Sequence, residues 1–292
     1  MPELVVNGCT ISYQEFGSGP INVVLTPGGR WGGYVHRVVA TALAEECRVI
    51  TWDRRNTDAR ADIIIAGDSS EADLWADDLA ALIQALKLGP CYVGEYAGCR
   101  VTPLLCVKYP QLVKGLMLAW CSGGDYPAGR LPKNFYQAYT RIALRRGMAG
   151  VIETNHFAAS IKQNPGNRER LLKMDAREFI RQMAYWEAFF ITSGDLPIAG
   201  CRLTDEEWAS IKVPASVTGG VDPTHPTEAA QRLARLLPQA RYHEPVVTVA
   251  EWDANFGGPT PYPITSNFQG ERIAPVWRDF IREMARSGVT RG

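Results

Sequence analysis

The sequence predicts an α/β fold: a mostly parallel sheet with helices on both faces, plus a helical lid insertion. Two observations carry this reading. Apolar strand-like runs alternate with amphipathic helices from residue 21 to residue 124, and the alternation returns after about residue 211. Between them lies a long stretch with helical periodicity and no strand pattern. The chain of 292 residues is 46% hydrophobic and 21% charged, which suits one large domain with a sizeable core.

The elements follow in order. ELVVNGCTISYQEFG (3–17) alternates and turns at GSGP, a two-stranded hairpin. INVVLTPGG (21–29) is a continuous apolar run ending in glycines, as a buried strand feeding a loop does. Val38, Val39, Leu43 and Ala44 share one face of a helix over roughly 34–46, and CRVITWD (47–53) is the next strand. In SSEADLWADDLAALIQALKLG, Ser70 with Asp73 marks a helix start and Gly89 its stop. PCYVGEY is a strand, AGCRVTPLLCVKYP a helix ended by Pro110, and VKGLMLAWCSGG a further strand. The stretch 125–210 is helical and aromatic, and is expected to form a lid over a core made of 1–124 and 211–292. The sheet resumes with VPASVTGG and ARYHEPV, and ERIAPVWRDFIREMARSG closes the chain as a helix.

Composition excludes several classes. The formal net charge is zero, so nothing recommends a nucleic-acid partner. No apolar stretch approaches the ~18 residues of a membrane span, and the first residues lack the pattern of a signal peptide. A cytoplasmic location is therefore expected. Seven cysteines, an odd number with no C-x-x-C pair, read as buried apolar residues rather than as a disulfide framework or zinc site. No motif implies a metal or an organic cofactor, and oligomeric state is not legible.

Four local patterns carry a resemblance. LTPGGR (25–30), RVITWDRRN (48–56), VGEYAGCR (93–100) and VPASVTGGVDPTHP (213–226) stand in the order in which the α/β-hydrolase superfamily places its oxyanion loop, its Asp-x-Arg loop, its nucleophile elbow and its acid-bearing strand. The resemblance covers most of the chain. It implies an elbow of Gly94-x-Tyr96-x-Gly98, with tyrosine where serine is usual, and it implies Asp222 as the triad acid. The triad histidine would follow the last strand, near Thr248–Ala250, where there is none; His243 lies too early. The resemblance further implies a backbone oxyanion hole from Gly29 or Arg30 together with Ala97, at the start of a helix whose positive end would face the same space.

The candidate site follows. Tyr96, as hydrogen-bond donor or proton shuttle, and Asp222 are the expected catalytic pair, with Glu95 and His225 as candidate acid or base groups. The alternatives are a plug for Tyr96, an ion pair to Arg100 or Arg55 for Glu95, and a helix-start position for His225. Trp31, Tyr126, Tyr139, Trp186 and Phe190 are expected to face a small hydrophobic substrate. Three readings stay open: a lyase, isomerase, cyclase or hydratase acting on a carbonyl compound without a covalent serine; a ligand-binding protein without turnover; and an ester or lactone hydrolase in which His225 or Asp222 activates water.

Overall fold

The computed structural model describes residues 1–191, 196–256 and 268–289. The hairpin forms as β1 (Glu3–Val6) and β2 (Cys9–Phe16), followed by β3 (Ile21–Pro27), α1 (Arg37–Leu43) and β4 (Cys47–Trp52). Then come α2 (Glu71–Ala85), β5 (Cys91–Gly98), α3 (Val101–Lys108) and β6 (Val113–Cys121). Five helices continue the chain: α4 (Asp125–Pro132), α5 (Ala138–Val151), α6 (Asn155–Gln163), α7 (Gly166–Lys173) and α8 (Ala176–Ile191). A π-helical turn at Lys133–Gln137 joins α4 to α5. The last elements are α9 (Asp205–Ser210), β7 (Ala215–Thr218), α10 (Thr227–Leu236), β8 (Ala240–His243), α11 (Val249–Phe256) and α12 (Phe268–Val289). Among the described residues, no strand lies between β6 and β7.

The strands form one eight-stranded sheet in the order β1-β2-β4-β3-β5-β6-β7-β8. The β1–β2 and β2–β4 pairs are antiparallel, and every other pair is parallel. Two apolar layers cover its faces. One joins α2, α3 and α10 to the sheet through Trp75, Leu79, Leu105 and Leu233; the other joins α1 and α12 through Val39, Leu43, Trp277 and Phe280. A third cluster, around Phe157, Phe179, Met183 and Trp186, holds α4 to α8 together. All seven cysteines are buried and free. Among the described residues, no helix is long and apolar enough to cross a membrane.

Two elements depart from the sequence reading. The strand β5 runs on to Gly98 and α3 starts only at Val101, so the chain does not turn at Tyr96. The first helix begins as a short 3-10 turn at Gly33–His36 before α1. The start of α2 is as expected, since the Ser70 hydroxyl accepts the Asp73 N–H at 3.0 Å.

Candidate active site

In an open parallel sheet the chain turns most freely at the carboxyl ends of the strands, and binding crevices form there. A cavity of ≈ 220 Å³ occupies that position. Its wall takes Gly29, Arg30 and Trp31 from the loop after β3, Ala97 from the end of β5, Ser122 from the end of β6, and Thr224 and His225 from the loop after β7. Arg130 and Leu131 of α4, Asn134 and Phe135 of the π-helical turn, and Trp252 and Phe256 of α11 complete most of it.

The loop after β3 is held from behind. Buried Arg54 donates to the carbonyls of Gly28 at 3.1 Å and Gly29 at 2.8 Å, while its guanidinium lies 4.1 Å from the Trp75 ring centroid. Burial pushes this guanidinium down to about 10, against the pull of Glu95 and Glu71 and with Arg30 and Arg100 adding to the effect. A trans peptide points its C=O and N–H in opposite directions, so the N–H groups of Gly29 and Arg30 point away from Arg54. The Arg30 side chain is anchored to Glu71 at 2.7 Å, and the same carboxylate accepts the Asn56 amide and the Tyr136 hydroxyl.

On the opposite side, Asp222 and His225 form a pair. His225 Nδ1 lies 2.8 Å from Asp222 Oδ2, and the Thr224 N–H donates to Asp222 Oδ1 at 2.9 Å. Burial pushes the Asp222 carboxyl up, but His225 and the backbone N–H groups of Thr224 and His225 outweigh it and hold the carboxyl below its ordinary value. A carboxylate only accepts, so Nδ1 carries the proton and Nε2 is the ring nitrogen left to face other groups. The turn that makes this pair is an isolated bridge between Asp222 and His225, closed by Thr227 Oγ donating to the Gly220 carbonyl at 2.6 Å.

Tyr96 is not in the cavity. A strand alternates its side chains, and Tyr92, Gly94 and Tyr96 of β5 face the α1/α12 layer. The Tyr96 ring packs edge-on against His36 with centroids 4.2 Å apart and lies 5.8 Å from Trp120, and its hydroxyl donates to the Val35 carbonyl at 2.5 Å. Burial raises its phenol further above the usual range, away from any proton shuttle. The cavity-facing residue is the next one, Ala97, which has φ +61° and is followed by Gly98 at +152° and Cys99 at +61°. Strained backbone of this kind gathers at binding and catalytic sites. Gly94 serves packing rather than the turn: a Cβ there would stand 2.9 Å from Leu25 Cδ2 and 3.0 Å from Trp277.

Glu95 is also corrected, as base and as ion-pair partner. Its carboxylate accepts the N–H groups of Arg100, Val101 and Thr102 at 2.9 Å each and the Thr102 hydroxyl at 3.0 Å. It caps α3, and so takes the first N–H groups of the helix that were expected to face the site. Arg55 pairs instead with Asp78 at 2.6 Å.

Of the expected substrate-facing aromatics, only Trp31 lines the cavity. Tyr126 is exposed. Tyr139 packs on Phe157 with centroids 5.0 Å apart, and Trp186 is fully buried and donates to the Ser69 carbonyl at 3.1 Å. Phe190 lies behind Phe135, 6.2 Å away. The periodic face of α8 is thus the inner side of its own helical cluster. Sequence reasoning missed Ser122, Thr224, Trp252 and Phe135. Ser122 had a signal: it directly follows the apolar run of β6, where a strand hands its next residue to a crevice.

Superposition on solved structures settles the architecture. An esterase from Thermogutta terrifontis superposes with a TM-score of 0.62 at 18% identity, covering 97% of this chain and 99% of the other. The chain has the α/β-hydrolase fold. A meta-cleavage product hydrolase from Pseudomonas fluorescens gives a TM-score of 0.62 at 17% identity over 97% and 98% of the two chains. The enol-lactonase from Burkholderia xenovorans gives 0.58 at 17% identity over 98% and 100%. In sequence, the chain is 32% identical over 111 residues to the uncharacterized hydrolase YraK of Bacillus subtilis, a match spanning 38% of this chain and 40% of that protein. No family model matches the sequence.

Proposed function

We propose that this chain is a hydrolase of small apolar esters or lactones that activates water directly, with His225 as the general base and Asp222 as the group that orients it. The observation that carries this reading is the 2.8 Å contact of His225 Nδ1 with Asp222 Oδ2 on a histidine that lines the cavity. The neighbours in fold include an esterase and an enol-lactonase, which is compatible with it. Ala97 carries the last side chain that β5 presents to the cavity, and a methyl group is no nucleophile.

In this mechanism a water lies between His225 Nε2 and the substrate carbonyl. Nε2 takes one proton, the hydroxide oxygen bonds to the carbonyl carbon, and the C=O electron pair moves to oxygen. The N–H groups of Gly29 and Arg30, turned away from Arg54, hold that oxyanion alongside the backbone at Ala97. Collapse breaks the bond to the leaving alkoxide, which takes the proton back from the imidazolium, and acid and alcohol leave. Asp222 holds Nδ1–H throughout and stabilises the transient imidazolium. The helices after β6 act as the lid, closing the apolar side of the cavity with Leu131 and Phe135.

His225→Gln is expected to lower the hydrolysis of p-nitrophenyl esters by about 100-fold or more, the size of one general base. A fluorophosphonate probe should leave the protein unlabelled. Labelling that disappears in Ser122→Ala would instead make Ser122 the nucleophile and overturn direct water attack.

A further inference from the structure

The cavity wall carries an unbalanced charge. Arg30, Arg100 and Arg130 line it, and among the described residues no aspartate or glutamate does. Arg30 is neutralised by Glu71. Arg100 and Arg130 form no ion pair among the described residues. Arg100 is 5% exposed; its Nε donates to the Ala199 carbonyl at 2.6 Å, its guanidinium lies 5.1 Å from the Phe190 ring centroid, and its Nη2 is buried with no hydrogen-bond partner. Glu95, close by, acts on the Arg100 guanidinium through space and opposes its desolvation, while its carboxylate oxygens accept from α3 and Thr102 rather than from the guanidinium. Arg130 gives Nη1 to Thr224 Oγ at 3.1 Å and otherwise faces the Tyr126 ring.

A buried guanidinium short of hydrogen bonds is costly to keep, and an anion brought beside it in the cavity recovers part of that cost. The delocalised charge of arginine, more weakly hydrated than an ammonium, suits a carboxylate. Trp31, Leu131, Phe135, Trp252 and Phe256 make a large apolar share of the wall, which calls for a hydrocarbon body. From this juxtaposition we infer that Arg100 is the anchor of a carboxylate-binding subsite, with Arg130 adding charge of the same sign. The compound accepted is then an ester or lactone that also bears a carboxylate. The subsite stands on charge and burial alone; only the ester or lactone part rests on the hydrolase reading.

The test is calorimetric titration of the whole protein with 3-phenylpropanoate and with its neutral amide, 3-phenylpropanamide. The carboxylate is expected to bind at least ~10-fold more tightly, with the margin narrowing as salt rises. Arg100→Met should abolish the margin and leave the amide's affinity unchanged, and Arg130→Gln should cut it several-fold. Equal affinity of the two probes for the wild-type protein, no binding of the carboxylate, or a margin intact in Arg100→Met overturns the subsite. Should circular dichroism show Arg100→Met unfolded, the wild-type pair and Arg130→Gln still decide. A wild-type protein that discriminates the probes but hydrolyses no ester therefore removes the hydrolase reading and leaves the subsite standing.

Discussion

Tyr96 shows how a single side chain changes its meaning with the backbone beneath it. Its hydroxyl binds the Val35 carbonyl and its ring meets His36, Trp120 and Trp277, so its work is structural. Tyr96→Phe should leave ester turnover within a factor of two and lower stability by about 1 kcal/mol, the worth of one hydrogen bond. A loss of turnover without a loss of stability would return Tyr96 to the reaction. At this scale the sequence was only partly readable. Asp222 and His225 stand three residues apart, and that spacing was visible, but their pairing depends on the turn that brings Nδ1 to Oδ2. Glu95 was visible as a buried-strand carboxylate, yet its partners are backbone N–H groups, which no residue pattern announces.

Elements explain the displacement. A strand has a side-chain period of two, so the point where β5 stops decides which residue reaches the crevice. Glycines at 94 and 98 suggested a turn centred on residue 96; Gly94 instead makes room for Trp277, and the turn comes later. The gap between the end of β5 at Gly98 and the start of α3 at Val101 is spanned by the Glu95 carboxylate. Glu95→Gln would put an amide NH₂ against those N–H donors. It should cost about 3 kcal/mol, measured as a lower urea midpoint, because hydrogen bonds to a charged acceptor are the stronger kind. An unchanged midpoint would mean that α3 starts without this cap. The existence and order of the strands were legible because apolar runs and glycine stops repeat along the chain. The helix faces after β6 were legible as periodic but not as to what they cover, since the face that packs a helical cluster and the face that roofs a cavity carry the same residues.

At the scale of the molecule, the sheet is closed on one side by α1 and α12, and His36 is sealed under them. The imidazole is fully buried with Nε2 at 2.8 Å from the Thr26 carbonyl, and burial pulls it from 6.5 down to about 4, with Arg54 adding to the effect. The unfolded chain binds the proton more readily, so this group leaves stability intact above its ordinary value and erodes it as pH falls from there toward the folded value. The loss is on the order of 3 kcal/mol across that interval. Urea titrations at pH 7.5 and pH 4.5 should show it, and His36→Gln should show a shallower dependence; equal slopes in the two proteins would assign the acid sensitivity elsewhere.

The same sealing extends to sulfur. Every thiol of the chain is interior, shared among the strands and the helices that cover them. A disulfide reagent added from outside can therefore react only during an excursion in which a layer lifts off. The uptake of such a reagent, thiol by thiol, becomes a clock for how often each part of the protein breathes.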